Sequence, residues 1–504
     1  MKYFSLIFWF LSCVTAQYVS AQKEADTWYF GTKAGISFAS GTPVALSDSQ
    51  LETDEGCSVI SDKTGKMLFY TDGISVWNSM HQLMPNGKEL KGDPSSTQSG
   101  VCIPRPDHPG MYYLFTVAAT GGASGIAYSL IDMKLENGLG DVSETEKNIK
   151  LTAPVTEKMT AVKHRNGKDI WVITHKWQSA EFLAYLVTAA GITTAPVSSV
   201  TGKVHEGPEL NTQGYMKSNP DGSNLALALE AIDYVEIFDF DNEKGIVSQP
   251  ISLKLKDKSY VYGVEFSPDG SILYCSAAGT GEIYQVNLQA GSPEAIQEST
   301  LLIGTTPAKE WVGALQLAND GKIYFPIYKT SFLGVIESPN TVGMGCLYKN
   351  NAVSLGDRQA TLGLPTFSQN FFTQDQTVQD VQYFDVKTVT TGKTFVLQNI
   401  NFDFGKYTLQ PTSFAELKKV VAVLQQNPGY KIEISGHTDN IGNKSSNILL
   451  SQNRAKAVQD YLISQKIDAA RISFNGFGSS KPIANNETDA GRAKNRRVEF
   501  VLMK

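Results

Sequence analysis

Between residues 27 and 372 one unit returns at nearly regular intervals: an apolar segment, a tight turn ending in glycine, and a second segment rich in aromatic or β-branched residues. The turn glycines are Gly65, Gly110, Gly167, Gly222, Gly270 and Gly321, separated by 45, 57, 55, 48 and 51 residues. Turns such as Asn219-Pro220-Asp221-Gly222, Ser267-Pro268-Asp269-Gly270 and Asn319-Asp320-Gly321 are hairpin chemistry, because glycine takes positive φ while proline or aspartate presets the bend. The segments that follow are Met67–Tyr70, Met111–Phe115, Ile170–Ile173, Leu225–Ala228, Ile272–Cys275 and Ile323–Phe325. Their continuous apolar runs fit strands buried on both faces. A period near ~50 residues with several strands per unit predicts a β-propeller over residues 22–372.

Six units are explicit and the chain ends supply a seventh. Trp28-Tyr29-Phe30-Gly31 and Gly35-Ile36-Ser37-Phe38 have the spacing of second and third strands, and Leu364–Phe372 could provide the missing first. Closing a ring with strands from both ends removes an exposed sheet edge. The expectation is therefore seven blades, with six as the alternative. The Ser-Pro-Asp-Gly turn and its setting resemble the PD-type, WD-like propeller repeats of bacterial envelope proteins.

At 504 residues, with 41% hydrophobic and 19% charged residues, the chain should form several folded domains. Residues 1–21 read as an export signal: Lys2, an apolar run from Leu6 to Leu11, and Val19-Ser20-Ala21 as a small-residue cleavage site. The rival, a lipoprotein cut before Cys13, is disfavoured by Phe10. No later run is apolar for the ~20 residues a spanning helix needs. The expected location is the periplasm, in association with the outer membrane. Cys57, Cys102, Cys275 and Cys346 remain after export, and spacing alone assigns them no partners.

Net charge divides unevenly. Residues 393–504 hold 16 Lys and Arg against 9 Asp and Glu, and the rest of the chain holds 28 against 41. A basic tail suits an anionic partner, and export argues against nucleic acid. Residues 373–394 are polar and read as a linker, with one strand at Val381–Val386. A domain over residues 395–504 follows, with the order β-α-β-α-β-β: a strand at Ile400–Phe404, a helix capped by Ser413 and Glu416, a strand at Lys431–Ile434, a helix from about Asn447 to Gln465, and strands near Ile472–Phe474 and Arg497–Leu502. In the second helix Leu450, Arg454, Val458 and Leu462 recur every four residues, so Arg454 interrupts an apolar stripe. A charge turned from solvent needs a partner. The loop Gly436-His437-Thr438-Asp439-Asn440-Ile441-Gly442 puts a carboxylate near that helix's start. Asp439 and Arg454 could pair with each other, or present opposite charges to a ligand carrying both an ammonium and a carboxylate.

Asn401-Phe402-Asp403-Phe404, Gly436-His437-Thr438-Asp439, Asn447, Leu450-Ser451, Arg454-Ala455, Gly476-Phe477-Gly478 and Gly491-Arg492-Ala493-Lys494-Asn495-Arg496-Arg497-Val498-Glu499 resemble the motif set of OmpA-like domains. The resemblance implies binding of diaminopimelate-type peptidoglycan. Asp439 would take the ammonium of the diaminopimelate side-chain centre and Arg454 its carboxylate through a two-donor fork. Thr438, Asn440 and Asn447 would add contacts, and Arg496-Arg497 would hold carboxylates such as Asp439 in place.

The function expected is a non-enzymatic envelope protein, anchored to peptidoglycan by its tail and offering its propeller to a protein partner. The architecture resembles that of gliding-motility and type IX secretion proteins. The alternative is a propeller-borne hydrolase or lyase acting on wall or glycan. The six histidines show no metal-ligand spacing and no Gly-x-Ser-x-Gly elbow occurs. Asp239–Gly245 fits a hairpin turn better than a calcium loop. No cofactor or metal is expected.

Overall fold

The computed structural model describes residues 22–255, 259–372, 383–386, 389–398, 400, 402, 405–483 and 489–503. The expected leader with Cys13, most of the linker, and Asn401, Asp403 and Phe404 of the expected strand at 400–404 lie outside these residues.

Most of the chain is β-sheet. Seven separate antiparallel sheets follow one another along the sequence, within residues 27–46, 58–78, 100–152, 155–205, 216–254, 261–305 and 316–354, each of three to five strands. All six turn glycines are left-handed, with φ between 69° and 90°. Asp221 and Asp269 brace their turns by accepting from the backbone N–H of Ser223 and Ser271 at 2.9 and 3.0 Å. Of the strands after the turns, Ile272–Ala277 and Ile323–Pro326 are buried throughout, whereas Met67–Thr71 and Met111–Val117 are buried only from their third residue. At Asp239–Gly245 the chain makes a turn in which Gly245 N–H donates to Asp241 O at 2.7 Å. The four cysteines are buried thiols.

The two ends of this β-rich body meet. Gln359 bridges Thr32, Leu362 N–H donates to Asp54 O at 2.9 Å, and Thr366 N–H to Cys57 O at 2.9 Å. Leu362 O in turn accepts from Ala314 N–H at 2.8 Å, which ties the last sheet to the second through the closing segment. Contact there is close enough that a Cβ on Gly363 would lie 1.5 Å from Glu55 O. The segment at Leu364–Phe372 is buried and Phe367 packs on Trp28 at 6.0 Å. Its ladder partner is Cys57, through a parallel bridge to Pro365, rather than the strand Thr27–Phe30.

The C-terminal module is built from strands β1 (Thr394–Leu397), β2 (Lys431–Gly436), β3 (Ile472–Gly476) and β4 (Val498–Met503), with helices α1 (Phe414–Gln426), α2 (Lys444–Ser464) and α3 (Asp489–Asn495). The sheet order is β1-β4-β2-β3, with β2 and β3 parallel. Alternation puts Ile432, Ile434, Val498, Phe500 and Leu502 on one face, where Leu417, Val421 and Leu424 of α1 and Val458 and Leu462 of α2 cover them. The first strand thus lies at 394–397, upstream of the apolar alternation at 400–404, and Phe384, in the segment read as linker, packs on Phe500 at 5.2 Å. Ser413 makes no capping bond: Pro411 opens a 3-10 turn that draws Ser413 into helical geometry (φ −72°, ψ −25°).

Candidate functional site

Strand β2 runs directly into the loop that carries Asp439. A Cβ on Gly436 would come within 2.1 Å of Ser451 O, and one on Gly476 within 2.3 Å of Gln452 N, so two glycines let α2 lie against the strand ends. Helix α2 starts at Asn443, whose side chain accepts from Ser446 N–H at 3.2 Å. Its inward positions then fall at Asn447, Ser451, Arg454 and Ala455, continuing to Val458 and Leu462. On this face Asn447 meets the 437–441 loop, while Ser451 Oγ accepts from Gly478 N–H at 2.8 Å.

Asp439 is 9% exposed. Its carboxylate accepts from Ile441 N–H at 3.1 Å and from Arg496 Nη1 at 2.5 Å. Thr438 Oγ1 donates to Asp439 O at 2.8 Å, and Thr438 N–H donates to Gly478 O at 2.8 Å. Asn447 Nδ2 donates to Ile441 O at 3.1 Å and to Asp439 O at 3.4 Å, holding the loop on the helix. Asn440 is half-buried, and its Oδ1 has no partner among the described residues. The five residues singled out from the sequence therefore share one corner.

Arg454 lies 7% exposed in that corner, with Nε donating to Lys406 O at 3.0 Å and the guanidinium 4.9 Å from the Phe402 ring centre. Among the described residues no ion pair within 4.0 Å joins Arg454 to Asp439, whose partner is Arg496. Burial and the Arg496 charge push the Arg454 pKa down, with Asp439 opposing. A buried cation penalised in this way favours an anionic partner.

Behind the loop, Arg497 Nε donates to Glu499 at 2.9 Å and its Nη1 to Lys481 O at 3.0 Å. His437 is buried against the Phe477 ring at 5.4 Å, with Nε2 3.1 Å from Glu499. Burial raises the Glu499 pKa, but hydrogen bonds and charge from His437 and Arg497 outweigh it and hold it near about 2. The split of the arginine pair, Arg496 to Asp439 and Arg497 to Glu499, has no signal in the sequence beyond the pair itself. The Lys406 carbonyl and Phe402 ring beside Arg454 were likewise not legible as site groups.

The β-rich body holds a second concentration of buried charge. Glu157 accepts from Thr97 N–H, Thr97 Oγ1 and Thr120 N–H at 2.8 to 3.0 Å, and Lys158 donates to the carbonyls of Asn211, Thr212 and Gln213 at 2.5 to 2.9 Å. Glu55 and Glu230, 7% and 8% exposed, each keep one carboxyl oxygen without a partner among the described residues. No group of three or more His, Cys, Asp or Glu able to hold a metal ion occurs among the described residues. No described helix is long and apolar enough to cross a membrane.

Residues 401–496 match the OmpA family. A stretch of 101 residues is 42% identical to outer membrane porin F of Pseudomonas fluorescens, over 20% of this chain and 31% of that one. A stretch of 95 residues is 44% identical to the peptidoglycan-binding protein ArfA of Mycobacterium tuberculosis, over 19% of this chain and 29% of that one. The chain thus spans less than a third of either relative. Among solved structures, the peptidoglycan-associated lipoprotein from Burkholderia pseudomallei is 33% identical over 21% of this chain and 88% of that one, with a TM-score of 0.20.

Proposed function

Because residues 401–496 belong to the OmpA family, we propose that the chain is a non-enzymatic envelope protein whose C-terminal module binds diaminopimelate-type peptidoglycan. The observation that carries this reading is the pair of buried, mutually unpaired opposite charges at Asp439 and Arg454. A ligand centre bearing both an ammonium and a carboxylate satisfies the two at once. The ammonium joins Arg496 on the Asp439 carboxylate, and the ligand carboxylate takes a fork from Arg454. Thr438, Asn440 and Asn447 shape the loop around it.

The larger body is, in this reading, a seven-bladed propeller serving as a scaffold for an envelope protein partner, with gliding or type IX secretion machinery as the setting. Support comes from the seven consecutive antiparallel sheets and from the closing segment bonded to the residues just before the second sheet and just before the last. Asp439→Ala and Arg454→Ala, each made in the full chain, should abolish co-sedimentation with diaminopimelate-type sacculi while leaving the far-UV circular dichroism unchanged. Retained pelleting by both variants refutes the site. Residues 22–372 alone should stay in the supernatant.

A further inference from the structure

Arg496 faces two ways. One Nη holds Asp439, while the same side chain, 45% exposed, borders a cleft of about 310 Å³ shared with Lys494, Arg497, Val396, Leu397 and Ile400. That volume lies within the ~300–1,000 Å³ of small-ligand sites. Its described lining combines three cations with Tyr383, Gln398 and the aliphatic Val396, Leu397, Ile400 and Ile483, and contains no Asp or Glu. Arg497 is committed to Glu499 and to Lys481 O, so it lends charge rather than donors. Lys494 is exposed and Arg496 has donors beyond the one on Asp439. A mixed lining with three cations and no described acid suits an anionic group carried on a peptide.

We propose that this cleft is a second subsite of the module, taking a further carboxylate of the same stem peptide whose diaminopimelate centre sits at Asp439 and Arg454. The inference rests on that reading of the corner. Arg496 touches both places, so they lie about one side chain apart, roughly two steps of extended peptide at ~3.3 Å each. A stem peptide offers two carboxylates at that reach: the α-carboxylate of the γ-linked glutamate and the peptide's own terminal carboxylate. Either brings its charge between Lys494 and Arg496.

The test is calorimetric titration of the full mature chain with L-Ala-γ-D-Glu-meso-diaminopimelate and with two forms of it, amidated at the glutamate α-carboxylate or at the terminal carboxylate. The expected result is that one amidation weakens binding about fivefold, the worth of a half-exposed ion pair, and so identifies the carboxylate. Lys494→Gln, a substitution at an exposed position, should then weaken the parent but not that amidated peptide, and so narrow the gap between the two. If both amidated peptides bind the wild type within twofold of the parent, or Lys494→Gln weakens all three peptides alike, the subsite is overturned. If the wild type binds none of the three, the reading of the Asp439–Arg454 corner fails, and the subsite with it.

Discussion

Glu55→Gln should stabilise the β-rich body, by an amount that grows with pH. Burial, reinforced by the charges of Glu157, Glu230 and Asp54 and opposed by the Tyr262 hydroxyl, pushes the Glu55 carboxyl from 4.5 up to about 9. At neutral pH the folded protein therefore holds a proton there that the unfolded chain releases. A raised carboxyl leaves stability intact below pH 4.5 and erodes it as pH rises, at about 1.36 kcal/mol per unit, until the folded group ionises near 9. Three units above 4.5, at pH 7.5, the cost is about 4 kcal/mol. Glutamine keeps the shape and carries no titrating proton, so the variant should match the wild type at pH 4.5 and exceed it by about 4 kcal/mol at pH 7.5. Urea unfolding followed by tryptophan fluorescence at pH 5, 6.5 and 8 measures the difference. A difference that does not change with pH, or a glutamine variant less stable at pH 8, refutes the reasoning.

Arg454→Leu should cost the C-terminal module little or even stabilise it, because the position lies in the stripe that ends in Val458 and Leu462; pelleting with sacculi should nonetheless be lost. Glu499→Gln should destabilise the module by about 3 kcal/mol at pH 7, since a carboxyl held near about 2 contributes stability above pH 4.5 that disappears as pH falls toward 2; acid unfolding monitored by circular dichroism should show the wild type's steep limb flattened. Phe384→Ala should cost about 3–5 kcal/mol in the module's thermal transition, because the ring is 5% exposed within that core. Gly436→Ala should both destabilise the module and weaken peptidoglycan binding, as its methyl would drive α2 away from the Asp439 loop.

The six hairpin turns were legible because their signals are local: a left-handed glycine, an apolar run in the strand that follows and, in five of them, an Asp or Asn brace. Outer strands such as Val44–Leu46 are short and largely exposed, and leave almost no pattern. Closure of the ends could be suspected from a missing strand, but the register with Cys57 depends on contacts over 300 residues apart that no local propensity encodes. Phe384 falls in the segment expected as one strand of a linker, at Val381–Val386, and nothing local showed that it packs into the module's core. The Ser413 box misled because Pro411, two residues earlier, sets a 3-10 turn that overrides it. Arg454 was legible because helical spacing exposes a charge among aliphatics. That an arginine of the Arg496-Arg497 pair would hold Asp439 followed from the resemblance, but which of the two does so did not.

The closing segment has a consequence for the order in which the protein can mature. Translation delivers Trp28 first, yet its packing partner Phe367 arrives some 340 residues later, along with the backbone groups that Asp54 and Cys57 await. Until then the opening sheets carry an unfinished seam, and contacts of such long sequence separation form slowly. The nascent body should be vulnerable to proteases and to pairing with other chains throughout that interval. It should become resistant in a single late step, when residues 359–372 are seated.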